Sequence, residues 1–304
     1  MSEKMFLVSG ASGSVGTKMV RQLLERGHKV RAMVHKFDHR SENLQKIGAD
    51  VVECNFLDIR GLRSAFKDIK GAYFGYPVAP AIIEATAVFA QAAKEADAEI
   101  IINMSQVSAR ADALSDATIS HWMSERVFDW SEVKTTHIRP TFFFDWFLYF
   151  AKGAQTGLIQ MPFGNYKLSF VSAKDVAHAV VAILENPSGH QGKTYNLYGP
   201  EQYSFEEAYQ LIAQTLDHKI KYEKIPLDVW VDALKNSLPQ QVVQHFEHGP
   251  VGDMPSGIFK GSVDTLEMLL GRKPITVAEF AREHRDVLSV PNSDLKSASG
   301  YSVE

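Results

Sequence analysis

The chain has 304 residues, carries 36 Asp and Glu against 32 Lys and Arg for a formal charge of −4, and contains a single cysteine. That length supports one large domain or a domain with a smaller lobe. The mild negative charge speaks against a nucleic-acid surface or a polybasic membrane anchor, and lone Cys54 against a disulfide framework or a cysteine-rich metal site. No apolar run approaches 18 residues and no signal peptide fits ahead of the first strand, so a cytoplasmic protein that meets neither membrane nor nucleic acid is expected.

Met5-Phe-Leu-Val-Ser9 reads as a strand, and Gly10-Ala-Ser12-Gly13-Ser14-Val15-Gly16 as a glycine-rich turn. Val15, Met19, Val20, Leu23 and Leu24 then recur at helical spacing up to Gly27, a residue suited to a left-handed helix end. A second strand follows over 29–34. A glycine-rich turn that opens a helix between two strands suits a dinucleotide: the first-turn N–H groups are unpaired, the helix dipole is positive there, and bare glycines admit a diphosphate.

The end of the second strand bears on which dinucleotide. NAD sites usually place Asp or Glu about 20 residues past the turn to bond the ribose hydroxyls. After Val34 the chain instead reads His35-Lys36-Phe37-Asp38-His39-Arg40, with no carboxylate at the strand end. His35, Lys36 and Arg40 either neutralise a 2′-phosphate, which favours NADP(H) over NAD(H), or belong to a solvated loop.

Further strands are expected at 49–53, 72–75, 100–104 and 135–139, and helices at 61–69, 81–96 and 119–131. Such alternation predicts an α/β fold with a doubly wound parallel sheet. Beyond Arg139 the rhythm breaks, and nine residues from Phe142 to Phe150 hold seven aromatics. Capping-box patterns at Ser172/Asp175 and Ser204/Glu207 start two helices; strands are expected at 193–198 and 219–225, and helices at 227–237 and 277–288. The expected organisation is a dinucleotide-binding domain over 1–145, a smaller α/β substrate lobe over 146–290 whose helix at 172–186 packs back on the sheet, and a frayed tail over 291–304.

Ligands of doubly wound sheets collect beyond the carboxyl ends of the strands. Phe56, Leu57 and Asp58 follow the third strand, Gly75, Tyr76 and Pro77 the fourth, Ser105 the fifth, and Pro140 with Phe142 the sixth. All are candidate cofactor contacts, together with Gly10, Ser12, Gly13, Ser14, Val15 and Gly16 of the turn. Asp58 suits an adenine amino group or a helix N-cap; Ser105 and residues 140–142 suit a nicotinamide ring. The usual Tyr acid with Lys four residues on is absent, since no Tyr in the chain has Lys at that spacing. Sixteen residues after Ser105 stands His121, with Glu125 four further on. The pair shares one helix face, where the carboxylate could orient the imidazole and raise its pKa for a catalytic role beside Ser105, or form a plain surface ion pair. The histidines at 28, 137, 178, 190, 218, 245, 248 and 284 lack ligand spacing and read as surface or cap residues; no metal site is expected.

The chain resembles the NmrA-like branch of the atypical short-chain dehydrogenases. The resemblance runs from about residue 5 to 288 and rests on the turn at 9–16, the basic end of the second strand, Asp58, Ser105, the 121–125 segment, Thr136-His-Ile-Arg139-Pro140, Val171-Ser-Ala-Lys-Asp175, Tyr195-Asn-Leu-Tyr-Gly199-Pro200 and Gly271-Arg272-Lys273-Pro274. The family often has Arg at the end of the second strand, where this chain has His35-Lys36. The resemblance implies either an NAD(P)H-dependent reductase of quinones, azo dyes or similar flat compounds, or a regulator that binds NAD(P) without turnover. An NADPH-dependent enzyme that passes hydride to a flat conjugated acceptor, such as a quinone, an azo dye or an aromatic polyketide, is the expectation. Its acceptor slot would be walled by Tyr76, Phe142, Phe143, Trp146, Tyr149 and Tyr166, unless these rings only cement the lobe. A small aromatic molecule is the expected partner, with a homodimer possible.

Overall fold

Short apolar strands separated by amphipathic helices can satisfy their backbone and bury both faces only as a parallel sheet sandwiched between helices. The computed structural model describes residues 4–248 and 250–289, so the expected tail at 291–304 lies outside the described residues. The strands are β1 (Met5–Val8), β2 (Lys29–Val34), β3 (Asp50–Glu53), β4 (Gly71–Phe74), β5 (Ile100–Met104), β6 (Thr135–Pro140), β7 (Leu158–Met161), β8 (Thr194–Leu197) and β9 (Lys221–Lys224). Among the described residues the large sheet runs β3-β2-β1-β4-β5-β6-β8, parallel throughout, and β7 pairs with β9 in a separate small sheet. The order reverses between β1 and β4, which opens a crevice at their carboxyl ends.

Side chains alternate across the strands as a pleated sheet requires. Phe6, Val8, Ile100 and Ile102 pack on one face against helices Ser14–Glu25 and Ala173–Glu185. Leu7, Ile101 and Phe74 pack on the other, with Phe66, Phe89 and Phe128 from the intervening helices. A third cluster, built from Phe144, Phe147, Phe170, Phe205, Tyr209 and Trp230, forms the core of the lobe. Each fully buried ring there contributes roughly 1.5–3 kcal/mol. Cys54 is buried among the apolar residues of the second face, and burial pushes its thiol pKa up.

Every expected strand forms, with ends shifted by a residue or two; β7 was not expected. Several expectations need correction. The lobe is not continuous in sequence: β8 is the edge strand of the large sheet, and Leu266, Leu269 and Leu270 of helix Asp264–Leu270 also pack on that sheet. The helix expected at 277–288 breaks at His284 into Val277–Glu283 and Arg285–Leu288. Helices His39–Lys46, Gln240–His248 and Asp264–Leu270 were not foreseen. At Ser172 there is a side-chain cap, its hydroxyl accepting from Lys174 N–H at 3.1 Å, but no capping box. Asp175 accepts instead from Arg272 and from Ile275 N–H, each at 2.7 Å. The box at Ser204 and Glu207 forms as expected.

Nor are all the remaining histidines on the surface. His28 is buried against Glu185 at 3.0 Å, and His137 lies buried between Asn103 and Asp129, at 3.1 Å from each. Their polar partners come from other elements of the fold, which is what lets an imidazole sit inside. Among the described residues no helix is long and apolar enough to cross a membrane.

Candidate functional site

β1 stops at Val8 because Ser9 ties it to its neighbour at the crevice: the buried hydroxyl donates to Tyr73 O (2.8 Å) and accepts from Gly75 N–H (3.0 Å). The chain then turns through Gly10 at φ +57°, where an added Cβ would stand 2.8 Å from Gly75 O. A Cβ on Gly16 would overlap the Gly10 carbonyl oxygen and come within 2.8 Å of Ala11 Cα. Only glycine lets the helix start so close to the strand. Gly13 caps helix Ser14–Glu25 without a side-chain hydrogen bond, which leaves its first-turn N–H groups open to a guest. The Ser14 hydroxyl donates to Asp145, and Lys18 Nζ lies 3.0 Å from Ser14 Oγ and 3.4 Å from Asp145 Oδ1. A bare turn, open amides and a nearby ammonium fit a dinucleotide diphosphate.

At the end of β2, His35 and Lys36 are exposed as a 2′-phosphate contact requires, but Arg40 is already engaged. Asp38 caps helix His39–Lys46, accepts from Arg40 N–H at 2.8 Å and pairs with the Arg40 side chain at 2.7 Å. That guanidinium holds the Asp38 carboxyl below its usual pKa. Glu53 also reaches this strand end, where Phe37 N–H donates to it at 3.1 Å. The absence of carboxylates read from the β2 segment is therefore corrected: one arrives through a helix turn and one from β3. Asp58 caps helix Ile59–Ala65, accepting from Arg60 N–H at 3.0 Å, and Leu57 beside it is exposed. The Phe56 ring packs edge-on against Phe74 and Tyr76, at 5.4 and 5.1 Å.

Beyond β5 and β6 lies a cavity of about 340 Å³. Met104 and Ser105 line it from β5, Pro140, Phe142 and Phe143 from β6, Tyr76 and Val78 from the loop after β4, and Trp146 from the lobe. Its roof is Val242, His245 and Phe246 of helix Gln240–His248, none of them anticipated as site residues. The signal was there: Val242, Val243 and Phe246 recur at helical spacing just after Pro239. Tyr149 and Tyr166 do not line this cavity. The Tyr149 hydroxyl donates to Ser237 O at 3.2 Å on another face of the lobe, and Tyr166 lies 45% exposed at the surface. Tyr149 is turned away because the short helix Asp145–Tyr149 points successive rings in different directions, and Tyr166 lies in the segment that follows β7.

Two buried polar atoms of the cavity wall, Ser105 Oγ and His121 Nδ1, have no hydrogen-bond partner among the described residues. An unmatched buried polar atom costs about 1–3 kcal/mol unless a ligand or water completes it. His121 is 7% exposed, and burial, reinforced by His245, drives its pKa down to about 4 against a weaker opposite pull from Glu125. His245, from the roof, is likewise pushed to about 4 by burial and lies 2.9 Å from Ser115 Oγ through its Nδ1. The expected His121–Glu125 partnership is corrected here. Glu125 is completely buried and takes two hydrogen bonds from Arg139, one of them at 2.7 Å from Nε. With its charge spent on a guanidinium from β6, it neither orients nor charges the imidazole.

An NAD(P)H azoreductase of Xenophilus azovorans is 26% identical over 284 residues, which is 92% of this chain and 98% of that protein. Among solved structures, the NADPH-dependent quinone oxidoreductase of Escherichia coli complexed with NADPH superposes with a TM-score of 0.80 at 21% identity, covering 92% of this chain and 99% of that one. NmrA, a negative transcriptional regulator solved with NADP, superposes with a TM-score of 0.74 at 19% identity, covering 93% and 95%. The pattern that defines the NmrA-like family matches residues 2–280, and the chain belongs to that family.

Proposed function

We propose that this protein is an NADPH-dependent reductase that passes hydride to a flat, conjugated acceptor such as a quinone or an azo compound. One observation carries the reading: Ser105 Oγ and His121 Nδ1 are buried, unmatched and set in the wall of one aromatic-lined cavity at the carboxyl ends of β5 and β6. A cofactor-binding regulator has no use for such a cavity, whereas an acceptor with an oxygen or nitrogen at its rim fills both the apolar space and the two polar vacancies. The names of the azoreductase and quinone oxidoreductase relatives agree with this reading.

The dinucleotide supplies the hydride, and the chain does the rest. Gly10, Gly13 and Gly16 with the first turn of helix Ser14–Glu25 hold the diphosphate, and Lys36 with His35 meets the 2′-phosphate. Phe142, Phe143, Trp146 and Tyr76 keep a planar acceptor stacked at the strand ends and exclude water. Ser105 and a neutral His121 donate hydrogen bonds to the acceptor heteroatom as negative charge builds on it. Reduction of a quinone to the hydroquinone takes one hydride and one proton, and that proton can come from solvent, so a strong acid and the missing Tyr/Lys pair are unnecessary. The test is NADPH oxidation against a panel of quinones and azo dyes, with NADH in parallel. Turnover of at least one flat acceptor is expected. NADPH bound by calorimetry with no acceptor reduced would replace this reading by a non-catalytic sensor.

A further inference from the structure

A second cavity, of about 260 Å³, adjoins the acceptor chamber, and Val78, His121 and His245 line both. Their characters differ. Aromatic rings (Tyr76, Phe142, Phe143, Trp146 and Phe246) dominate the chamber wall, while the neighbour sets Ser115, Asp116, Ser120, Gln241 and Gln244 beside small and aliphatic residues such as Ile82 and Leu114. Helix Gln240–His248 serves both through its amphipathic faces: buried Val242 and Phe246 point to the chamber, and exposed Gln241 and Gln244 stand over the second cavity. His121, whose Nδ1 has no partner among the described residues, sits where the two meet.

The charge of the second cavity is one-sided. Among the described residues no Lys or Arg lines either space, and Asp116 is the carboxylate on the wall of the second. Amides, hydroxyls, the imidazoles of His121, His245 and His248 and a carboxylate offer a guest many hydrogen bonds, but no Lys or Arg compensates the cost of stripping water from an anion, and Asp116 repels one. We propose that this cavity is a subsite for the tail of the acceptor whose ring occupies the chamber, and that it takes a hydrogen-bonding tail that is neutral or cationic and turns away an anionic one. The acceptor is then elongated, its planar head over the strand ends and its polar tail reaching past His121 and His245 to the rim. The identity of the head rests on the reductase reading; the tail subsite does not.

The test uses redox-inert probes, so that binding is read apart from turnover: naphthalene without a tail, and naphthalene bearing a short alkyl tail that ends in a carboxamide, a trimethylammonium or a sulfonate. Each is titrated by calorimetry into the full chain saturated with NADP. The amide and ammonium probes are expected to bind ~5-fold or more tighter than bare naphthalene, and the sulfonate more weakly than either. In Asp116→Asn the ratio of sulfonate to ammonium Kd should shrink severalfold, and in Gln244→Ala the amide should lose its advantage over bare naphthalene. Equal binding of all four probes, or the sulfonate tightest, overturns the subsite. Reduction of an unsubstituted naphthoquinone by NADPH is measured beside these titrations. Its failure, together with that of every other quinone and azo dye of the panel, would sink the reductase reading, while the subsite would still stand or fall on the order of probe affinities.

Discussion

The Ser14 hydroxyl donates to the Asp145 carboxylate, joining the first turn of the dinucleotide helix to the helix that carries Trp146 into the acceptor cavity. Lys18 lies 3.4 Å from the same carboxylate and compensates its charge. A diphosphate seated on the helix start would face Asp145 as a like charge. Asp145→Asn should therefore tighten NADPH binding by about fivefold at low salt, an effect that added salt erodes. Calorimetry of the variant checks this; unchanged or weaker affinity would mean that the carboxylate does not face the diphosphate.

His121 and His245 titrate near 4 in the folded chain, against an ordinary value of 6.5. Depressed values mean that the unfolded chain takes up protons first, so stability held above about pH 6.5 drains away as pH falls towards 4. Urea unfolding at pH 7.5 and pH 5 should show this loss, and His245→Gln should flatten it. A neutral His121 also predicts no break in acceptor turnover near pH 6.5 from this residue. His121→Ala should cost about 10²-fold in kcat/KM with NADPH affinity unaltered, and His121→Gln, which keeps a donor, should recover part of it. Turnover within twofold of the parent in His121→Ala would remove the donor role.

The glycines of the turn should respond differently. A Cβ at Gly13 meets Gly10 O at 3.2 Å and fits with small adjustment, whereas at Gly16 it meets rigid backbone. Gly13→Val should keep the fold and lose at least tenfold in dinucleotide affinity, about 1.4 kcal/mol. Gly16→Ala should lower Tm itself, by an overpacking cost of about 1–3 kcal/mol. Parallel melting and binding measurements separate the two outcomes.

Preference for NADPH over NADH should depend on Lys36 more than on Arg40, because Asp38 holds the Arg40 side chain. Lys36→Ala should weaken NADPH severalfold and leave NADH unchanged, while Arg40→Ala changes the ratio little. A larger effect at Arg40 would show that the ion pair with Asp38 opens when the 2′-phosphate binds.

Glu125→Ala removes the counter-ion of Arg139 and should destabilise the fold by roughly 2–4 kcal/mol. Measured per folded molecule, kcat should stay near that of the parent. A selective loss of kcat with Tm intact would return Glu125 to the chemistry.

The order of strands and helices up to β6 was legible because each segment carries its own period and stop signals. So was the glycine-rich turn between β1 and the first helix, whose glycines are a local steric demand. That Ser105 lines the cavity follows from its place at a strand end, whereas His121 was picked out only by its distance along the chain. Helix Gln240–His248 had a readable apolar spacing, but nothing local says that it roofs a cavity formed by β5 and β6.

What tertiary structure alone decided is who pairs with whom and what is shut from water. Glu125 and His121 share a helix face, and that much follows from 3.6 residues per turn. Arg139, fourteen residues on in a buried strand, takes the carboxylate, and burial keeps the imidazole neutral. Asp38 and Glu53 reach the end of β2 through a helix cap and a neighbouring strand, Asp145 meets Ser14 from 131 residues away, and Tyr149 and Tyr166 turn out of the cavity that their composition suggested. Periodicity is a property of the backbone and can be read from one segment at a time. Charge state and cavity shape depend on desolvation and on neighbours remote in the chain, and these exist only once the segments have packed.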